Sequence, residues 1–215
     1  MNAMILAAGR GERLRPYTDT CPKPLLEIKG KAIIEYHLLA LAEAGISSVV
    51  INVSWLADMI RARLGDGSRY GLQIIYSHED EALETAGGIV QALAHLQDRF
   101  LVINGDIFSD YPLQNLMAIK SEAHIVLVDN PAHHPAGDFT LNNGMVGSES
   151  ENRFTFAGIA VYSKNFFQGL APGKRALAPL LYEAADSQRL SGEIYAGGWV
   201  DVGTIERWQS LGEQG

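Results

Sequence analysis

The stretch that decides the fold is AMILAAGRGERLRPYTDTCPKPL, residues 3–25. Its first part, residues 3–8, is a short apolar run that predicts a buried β-strand. The loop that follows is rich in small residues, which let backbone N–H groups approach an anion closely. These residues are Ala7, Ala8, Gly9 and Gly11. Arg13 and Lys23 can then place positive charge on phosphate groups, so the sequence predicts an anion-binding loop after the first strand.

Glycine-rich loops also form ordinary turns, and this loop differs from two well-defined phosphate-binding patterns. No Gly-Lys-Ser/Thr follows the glycines, which excludes the P-loop. Leu14 stands where the third glycine of the dinucleotide-binding fingerprint would fall. The loop therefore belongs to neither of these classes of nucleotide site.

Outward from this loop, short apolar runs alternate with amphipathic segments in the order β-α-β-α-β-α-β-α-β. Further strands are predicted at residues 48–53, 72–77, 100–104 and 124–129, and helices at residues 32–44, 55–64 and 85–96. This order predicts an α/β fold, a Rossmann-like, mostly parallel sheet with helices on both faces. Ligands of such sheets bind outside the carboxyl ends of the strands.

From about residue 131 the sequence becomes rich in turn residues. Residues 155–162 and 193–200 predict two further strands, residues 177–185 predict a helix, and the tail after Thr204 predicts another. We expect a small antiparallel β region appended to the parallel sheet, within a single domain of residues 1–215.

Charge and composition exclude several functional classes. The net charge is −8 and the pI about 5.2, so the chain lacks the basic surface that nucleic-acid binding needs. The single cysteine, Cys21, excludes an intramolecular disulfide. We find neither a signal peptide nor an apolar run of the roughly 18 residues that span a membrane. We therefore expect a cytoplasmic protein, and a monomer, since no additional assembly domain is evident.

The segment from Ile5 to Leu25 resembles the signature of the sugar-1-phosphate nucleotidyltransferase family, Ala-Ala-Gly-x-Gly-x-Arg-Leu-Arg-Pro-x-Thr-x-x-x-Pro-Lys-Pro-Leu. Two residues depart from its commonest form: Ala8 replaces a glycine and Glu12 a threonine. The resemblance implies the nucleotide-diphospho-sugar transferase type of fold. It also implies that Gly11, Glu12 and Arg13 line the triphosphate of a nucleotide, and that Lys23 contacts phosphates during transfer.

Two aspartates follow strand-like runs. Asp106 ends the segment Asn104-Gly105-Asp106, which would also form an ordinary turn, and Asp201 lies in Gly-Trp-Val-Asp-Val-Gly-Thr, where it could equally cap a helix. The resemblance implies that both carboxylates bind Mg²⁺, for which oxygen ligands are appropriate. Asn104 is then a candidate for orienting the nucleotide.

The segment Glu84-Thr85-Ala86-Gly87-Gly88 opens a predicted helix. Glu84 or Thr85 could simply cap that helix, whereas the resemblance implies that Glu84, Thr85 and Gly87 help bind the nucleobase. The preceding acidic run, residues 79–81, is interpreted as a solvated face. The resemblance also divides the chain into a nucleotide-binding half, about residues 1–130, and a sugar-binding region, about residues 131–203.

The segment from Asp129 to Phe139 contains two adjacent histidines, His133 and His134. Adjacent histidines lack good chelating spacing, so we do not predict a metal site there. Asp138 and Gly105 are our candidates for sugar contacts. A Glu-Lys-Pro segment that many family members use for this purpose is absent, which points to an unusual sugar.

Several further motifs resemble one branch of the family, which transfers UMP from UTP to N-acetylmuramate α-1-phosphate in cell-wall recycling. Among them are Leu-Glu-Thr-x-Gly-Gly-Ile, Val-Asp-Asn-Pro-x-His-His and Trp-Val-Asp-Val-Gly-Thr. The resemblance implies a Mg²⁺-dependent enzyme whose partners are these two small molecules. Two alternatives remain: an enzyme for another sugar-1-phosphate, of the glucose or mannose type with UTP or GTP, and a regulatory module that binds nucleotide sugars without turnover.

Overall fold

The computed structural model describes residues 1–213, and the apolar runs of the sequence form its strands. In chain order the strands are β1 (Asn2–Leu6), β2 (Glu27–Ile28), β3 (Lys31–Ala32), β4 (Ser48–Val53), β5 (Gln73–His78), β6 (Arg99–Asn104), β7 (Ile107–Ser109), β8 (Ala123–Val128), β9 (Thr140–Asn142), β10 (Met145–Gly147), β11 (Thr155–Ser163), β12 (Leu190–Ile194) and β13 (Trp199–Asp201). The α-helices are α1 (Ile33–Glu43), α2 (Ala57–Leu64), α3 (Glu84–Ala92), α4 (Ala178–Asp186) and α5 (Ile205–Glu213).

The predicted α/β fold is confirmed. Nine strands form one mixed sheet in the order β5-β4-β1-β6-β11-β8-β12-β10-β9, and β5, β4, β1 and β6 are mutually parallel. Along β1 the side chains alternate between two cores: Ala3 and Ile5 pack with α1 and α2, whereas Met4 packs with α3 and α4. Helices therefore cover both faces, and no helix within residues 1–213 has the length and apolar character to cross a membrane.

The antiparallel region is built differently from our expectation. Part of it is appended as expected, since β10 and β9 form an antiparallel hairpin at one edge of the sheet, but β11 lies between β6 and β8 and pairs antiparallel with both. Its nine residues are nearly all buried, since the strand has a neighbour on each edge and a core on each face. The segment 131–203 thus supplies the middle of the sheet.

Two other predictions for elements are corrected. Residues 190–201 form two short strands, β12 and β13, because the chain leaves the main sheet after Ile194. The connection between β6 and β8 contains a 3-10 helix, Leu113–Ala118, rather than an α-helix.

A small sheet of β7 and β13 brings distant parts of the chain together. Asp201 is the register partner of Ile107, and the backbone N–H of Val202 donates to the carbonyl of Asp106 at 2.7 Å. A third apolar cluster, which includes Leu14 and Val202, packs the N-terminal loop against α5. The carboxyl ends of β1 and β6 therefore share one edge with the segment that begins α5.

Candidate active site

The loop after β1 is held open by backbone geometry. Gly11 has φ +72°, a conformation that favours glycine, and begins a 3-10 helix at Glu12–Leu14. A Cβ at Gly11 would lie 2.9 Å from Thr18, whose hydroxyl donates to the Gly11 carbonyl at 2.9 Å. The loop thus has a fixed curvature in which Gly11 has little room for a side chain.

A cavity of about 260 Å³ opens at the carboxyl edge of β1, β4 and β6. It brings together most of the residues predicted for nucleotide binding: Ala7, Ala8, Gly9, Gly11, Lys23, Glu84, Thr85 and Asn104. Gly105, a candidate for sugar contact, and Asp106, a candidate for metal binding, line the same cavity. Glu12, Arg13 and Gly87 do not line it, and Arg13 lies instead in the adjoining cavity described below.

Two residues at the base of this cavity escaped the sequence analysis. Asn52, at the carboxyl end of β4, accepts the Ala7 N–H at 2.7 Å and donates to Glu79 at 2.6 Å. The other oxygen of Glu79 accepts the Leu83 N–H at 3.0 Å. Our interpretation of residues 79–81 as a solvated face is therefore wrong for Glu79, which is 2% exposed, although Asp80 and Glu81 are exposed.

The two glycines of α3 serve packing. A Cβ at Gly88 would meet Glu79 Oε1 at 2.5 Å, so this glycine leaves room for the Asn52–Glu79 pair. A Cβ at Gly87 would meet the Gly173 carbonyl at 2.4 Å, and the Gly87 N–H donates to the Arg175 carbonyl at 3.1 Å. Gly87 thus faces the segment 173–175.

Lys23 forms an ion pair with Asp106. Its Nζ lies 2.6 Å from Asp106 Oδ2, and its side chain is only 12% exposed. His37 is buried, with 7% of its surface exposed, and lies within range of the Asp106 charge. Burial lowers the pKa of His37 to about 4, against the opposing effect of that charge. His37 is therefore neutral near pH 7, and Lys23 supplies the positive charge beside Asp106.

A second cavity, of about 370 Å³, adjoins the first and is lined by both Asp106 and Asp201. The buried Oδ1 of Asp201 accepts no hydrogen bond from residues 1–213. Arg207 Nη1 and His133 Nε2 lie 3.0 and 3.1 Å from this oxygen, but neither contact has hydrogen-bonding geometry. A carboxylate oxygen with lone pairs available is suited to a hard cation.

The donor set also indicates what kind of metal the site could hold. Within residues 1–213, no group of three or more His, Cys, Asp and Glu side chains is arranged to hold an ion by itself. Two carboxylates therefore suit a cation such as Mg²⁺, which usually completes its coordination with phosphate oxygens and water. Arg207, on α5, approaches Asp201 and is, after Asn52 and Glu79, the third residue of the site that the sequence analysis missed.

The candidate sugar residue Asp138 does not line either cavity. Its Oδ1 lies 2.9 Å from His134 Nε2, and its Oδ2 accepts the Phe156 N–H at 2.8 Å. His133 and His134 both line the second cavity. Asp138 therefore holds a cavity residue in place, with both of its own oxygens engaged.

The chain is similar to known proteins both in sequence and in fold. The sequence profile of the Nucleotidyl transferase family matches residues 2–139. The chain is 47% identical to an N-acetylmuramate alpha-1-phosphate uridylyltransferase of Neisseria meningitidis, over 96% of this chain and 95% of that protein. It is 28% identical to a mannose-1-phosphate guanyltransferase beta-A of Xenopus laevis, over 94% of this chain and 61% of that longer protein.

Among solved structures, a Bacillus anthracis protein in complex with sucrose superposes with a TM-score of 0.88 and 22% identity, covering 99% of this chain and 94% of the other. This likeness concerns the fold. The profile match covers most of the chain and includes the loop after β1, Lys23 and Asp106. The chain belongs to the nucleotidyl transferase family.

Proposed function

We propose that the chain transfers UMP from UTP to N-acetylmuramate α-1-phosphate, giving UDP-N-acetylmuramate and pyrophosphate, with Mg²⁺ as cofactor. The family typically uses a divalent metal, a nucleotide and a sugar phosphate. The choice of sugar and base rests on the 47% identity to the Neisseria meningitidis uridylyltransferase over nearly the full length of both chains.

The observation that best supports this reaction is that three groups lie close together at the carboxyl edge of the sheet. These are the anion-binding loop, the Lys23–Asp106 pair, and the carboxylate of Asp201 with an available oxygen. Phosphoryl transfer depends on positioning two polyanions and on spreading the charge that develops. All three groups serve those two tasks.

In the proposed reaction, a phosphate oxygen of the sugar-1-phosphate attacks the α-phosphorus of UTP in line. A new P–O bond forms, the bond from the α-phosphorus to the bridging oxygen breaks, and pyrophosphate leaves with that electron pair. The attacking oxygen is already anionic near neutral pH, so the chain needs no general base. When bound, Mg²⁺ withdraws negative charge from phosphate oxygens, and Asp106 and Asp201 would hold it.

The remaining roles fall to side chains and backbone groups of the two cavities. Lys23 would contact the reacting phosphates, and Arg13 the β- and γ-phosphates. The backbone of Gly9 and Gly11 would approach the triphosphate. Glu84 and Thr85, at the far wall of the first cavity, are our candidates for contact with the base, and Asn104 for orienting the nucleotide.

The test is pyrophosphate release measured with UTP, GTP, CTP and ATP against four sugar-1-phosphates: N-acetylmuramate, N-acetylglucosamine, glucose and mannose. We expect turnover chiefly with UTP and N-acetylmuramate 1-phosphate, and only with Mg²⁺ present. Turnover with mannose 1-phosphate and GTP would place the chain with the guanyltransferases instead. No turnover with any pair would favour a regulatory module that binds nucleotide sugars.

The metal assignment has its own test in Asp106→Asn, with Asp80→Asn as the matched control on an exposed residue. We expect Asp106→Asn to lower kcat and to raise the Mg²⁺ concentration required for half-maximal rate, and Asp80→Asn to change neither. Full Mg²⁺-dependent activity in Asp106→Asn would remove this residue from the metal site.

A further inference from the structure

The loop between β8 and β9 presents two histidines to the second cavity, and the reaction proposed above uses neither. His133 and His134 line this cavity together with Asp106 and Asp201. Among the lining residues, the only other side chain that can carry positive charge is Arg13, which belongs to the anion-binding loop. The two imidazoles are therefore the candidates in this cavity for contact with a ligand group other than the triphosphate.

This loop is fixed to the sheet at several points. The Asn130 side chain donates to the carbonyls of Pro135 and Arg153 at 3.2 and 2.9 Å, and accepts the Thr155 hydroxyl at 2.9 Å. Gly137, with φ +61°, packs directly against Asn130. The histidines are thus carried by a segment whose conformation is set by β11 rather than by the ligand.

The two rings face different carboxylates, and only His134 is hydrogen-bonded to its carboxylate. His133 Nε2 faces Asp201, the candidate metal ligand, at 3.1 Å. His134 Nε2 is hydrogen-bonded to Asp138 Oδ1 at 2.9 Å, and Asp138 is itself held by the backbone of Phe156. Within residues 1–213, no side chain or backbone group hydrogen-bonds the Nδ1 of His134. This ring is therefore oriented through Nε2–H, and Nδ1 is left for a ligand, as an acceptor in the neutral ring and as an N–H donor in the imidazolium.

The rest of the wall suits a sugar ring. Phe156 and Trp199 contribute apolar surface, and the Trp199 indole N–H is already used by the Ala157 carbonyl at 2.8 Å. Asp138 already faces one nitrogen of His134, and a neutral sugar would add only a neutral hydrogen-bonding group at the other nitrogen. An anionic substituent would accept a charge-assisted hydrogen bond, which is the stronger kind.

We propose that His134, oriented by Asp138, is the residue by which this enzyme selects a sugar-1-phosphate that carries a carboxylate substituent. The carboxylate would accept a hydrogen bond from Nδ1–H of the imidazolium form of His134, whose other hydrogen, on Nε2, is donated to Asp138. Asp138 acts as a positioning residue and does not contact the sugar. The inference rests on the proposed function and assigns the lactyl group of N-acetylmuramate to this subsite.

The experiment compares kcat/KM for N-acetylmuramate 1-phosphate and for N-acetylglucosamine 1-phosphate, which lacks the lactyl group, with UTP in both cases. We expect His134→Ala to lower kcat/KM for the carboxylate-bearing sugar about 10- to 100-fold, the value of a hydrogen bond to a charged group. Its kcat/KM for N-acetylglucosamine 1-phosphate should change less than about twofold. Asp138→Asn should lower the ratio of the two kcat/KM values by a smaller factor. His134→Gln should give a ratio between those of His134→Ala and wild type.

The matched control is His95→Ala, because the side chain of His95 is exposed. Only the backbone carbonyl of His95 accepts a hydrogen bond from another side chain, that of Asn2, which begins β1 and so lies at the end of the strand away from the site. Equal losses on both sugars in His134→Ala would indicate a purely structural role and would overturn the inference. Wild-type kcat/KM for both sugars in His134→Ala would overturn the inference as well, while leaving the proposed function intact. Wild-type preference for N-acetylglucosamine 1-phosphate would contradict the proposed function itself, and the inference with it.

Discussion

At the scale of single residues, Lys23 is the strongest candidate for charge stabilisation during transfer. Its Nζ is 2.6 Å from Asp106, and its side chain is largely buried in the first cavity, beside the aspartate that lines both cavities. We predict that Lys23→Ala lowers kcat about 10²- to 10³-fold, because one preorganised contact to the transition state is lost. The measurement is steady-state pyrophosphate release, with thermal unfolding recorded in parallel.

The control for this substitution is Lys120→Ala, at an exposed position, which should keep wild-type kcat. A Lys23→Ala enzyme that keeps kcat within a few-fold of wild type, with an unchanged melting temperature, would remove Lys23 from the reacting centre. A large fall in melting temperature would instead assign Lys23 a structural role as the partner of Asp106.

Single residues also mark the limit of sequence reasoning at the site. The glycine-rich loop and Lys23 were predictable because their spacing within residues 7–25 is distinctive, whereas Asn104 and Asp106, in a segment that also forms ordinary turns, were assigned through the family resemblance. Glu79 was not predictable, because it lies in an acidic run that is typical of solvated surface. Its burial depends on Asn52, 27 positions away, and on the space that Gly88 leaves. No local pattern in the sequence reports such a pairing.

At the scale of elements, α1 begins at an ionic junction. Glu35 accepts hydrogen bonds from the Ala32 N–H, from Arg63 and Arg69, and from the Tyr70 hydroxyl, at 2.6–3.1 Å. Burial of the carboxyl opposes ionisation, but the hydrogen bonds from Arg63, Tyr70 and Ala32, together with the charge of Arg63, outweigh it and lower the pKa of Glu35 from 4.5 to about 2. The ionised carboxylate therefore ties the start of α1 to the segment between α2 and β5.

We predict that Glu35→Gln destabilises the protein at pH 7 by about 1–2 kcal/mol, after allowance for the solvent screening of the half-exposed arginines. Because the folded-state pKa is depressed, this contribution is fully present above pH 4.5 and is lost as the pH falls towards 2. The measurement is urea unfolding of both proteins from pH 7 to pH 3. A stability difference that stays constant over this range would contradict the assignment.

The helix α5 contributes to the site through Arg207. Its Nη1 lies 3.0 Å from Asp201 Oδ1, and its side chain is 18% exposed. We predict that Arg207→Ala raises the Mg²⁺ concentration for half-maximal rate about 10- to 100-fold, which is the usual loss of affinity when the partner of a metal ligand is removed. Arg207→Lys should lie between wild type and Arg207→Ala. The control Arg189→Ala, at an exposed position in the turn between α4 and β12, should leave the Mg²⁺ dependence unchanged.

Local periodicity predicted most elements closely. The helices at 32–44, 55–64 and 177–185 were each placed within two residues of their observed ends, because their apolar faces pack on a sheet at regular spacing. The partners of β11 could not be predicted in this way. Alternation along residues 155–163 indicates an extended conformation, but it does not specify that the strand inserts between β6 and β8.

At the scale of the whole molecule, the two parts of the chain share their cores. One cluster contains Ile5 of β1 together with Val161 of β11, and the other contains Met4 of β1 together with Tyr162 of β11. We predict a single cooperative unfolding transition, because neither half can lose its core alone. Urea unfolding followed by far-UV circular dichroism should coincide with unfolding followed by tryptophan fluorescence.

Two variants separate the fluorescence signals of the nucleotide-binding half and the sugar-binding region. Trp199→Phe leaves Trp55 to report on the first, and Trp55→Phe leaves Trp199 to report on the second. Trp208 is present in both variants. Transitions that differ in midpoint between these variants, while their circular dichroism curves agree, would indicate two independently unfolding units.

The insertion of β11 also has a consequence in time, during synthesis of the chain. β6 is complete at Asn104, but β11 begins only at Thr155, which a ribosome adding about 5–20 residues per second reaches roughly 3–10 s later. Until then β6 has one open edge, and β8 has neither of its neighbours, since both β11 and β12 follow it. Open apolar edges invite pairing with other chains. The nascent chain is therefore most prone to aggregation in the seconds before β11 is synthesised and fills the gap between β6 and β8.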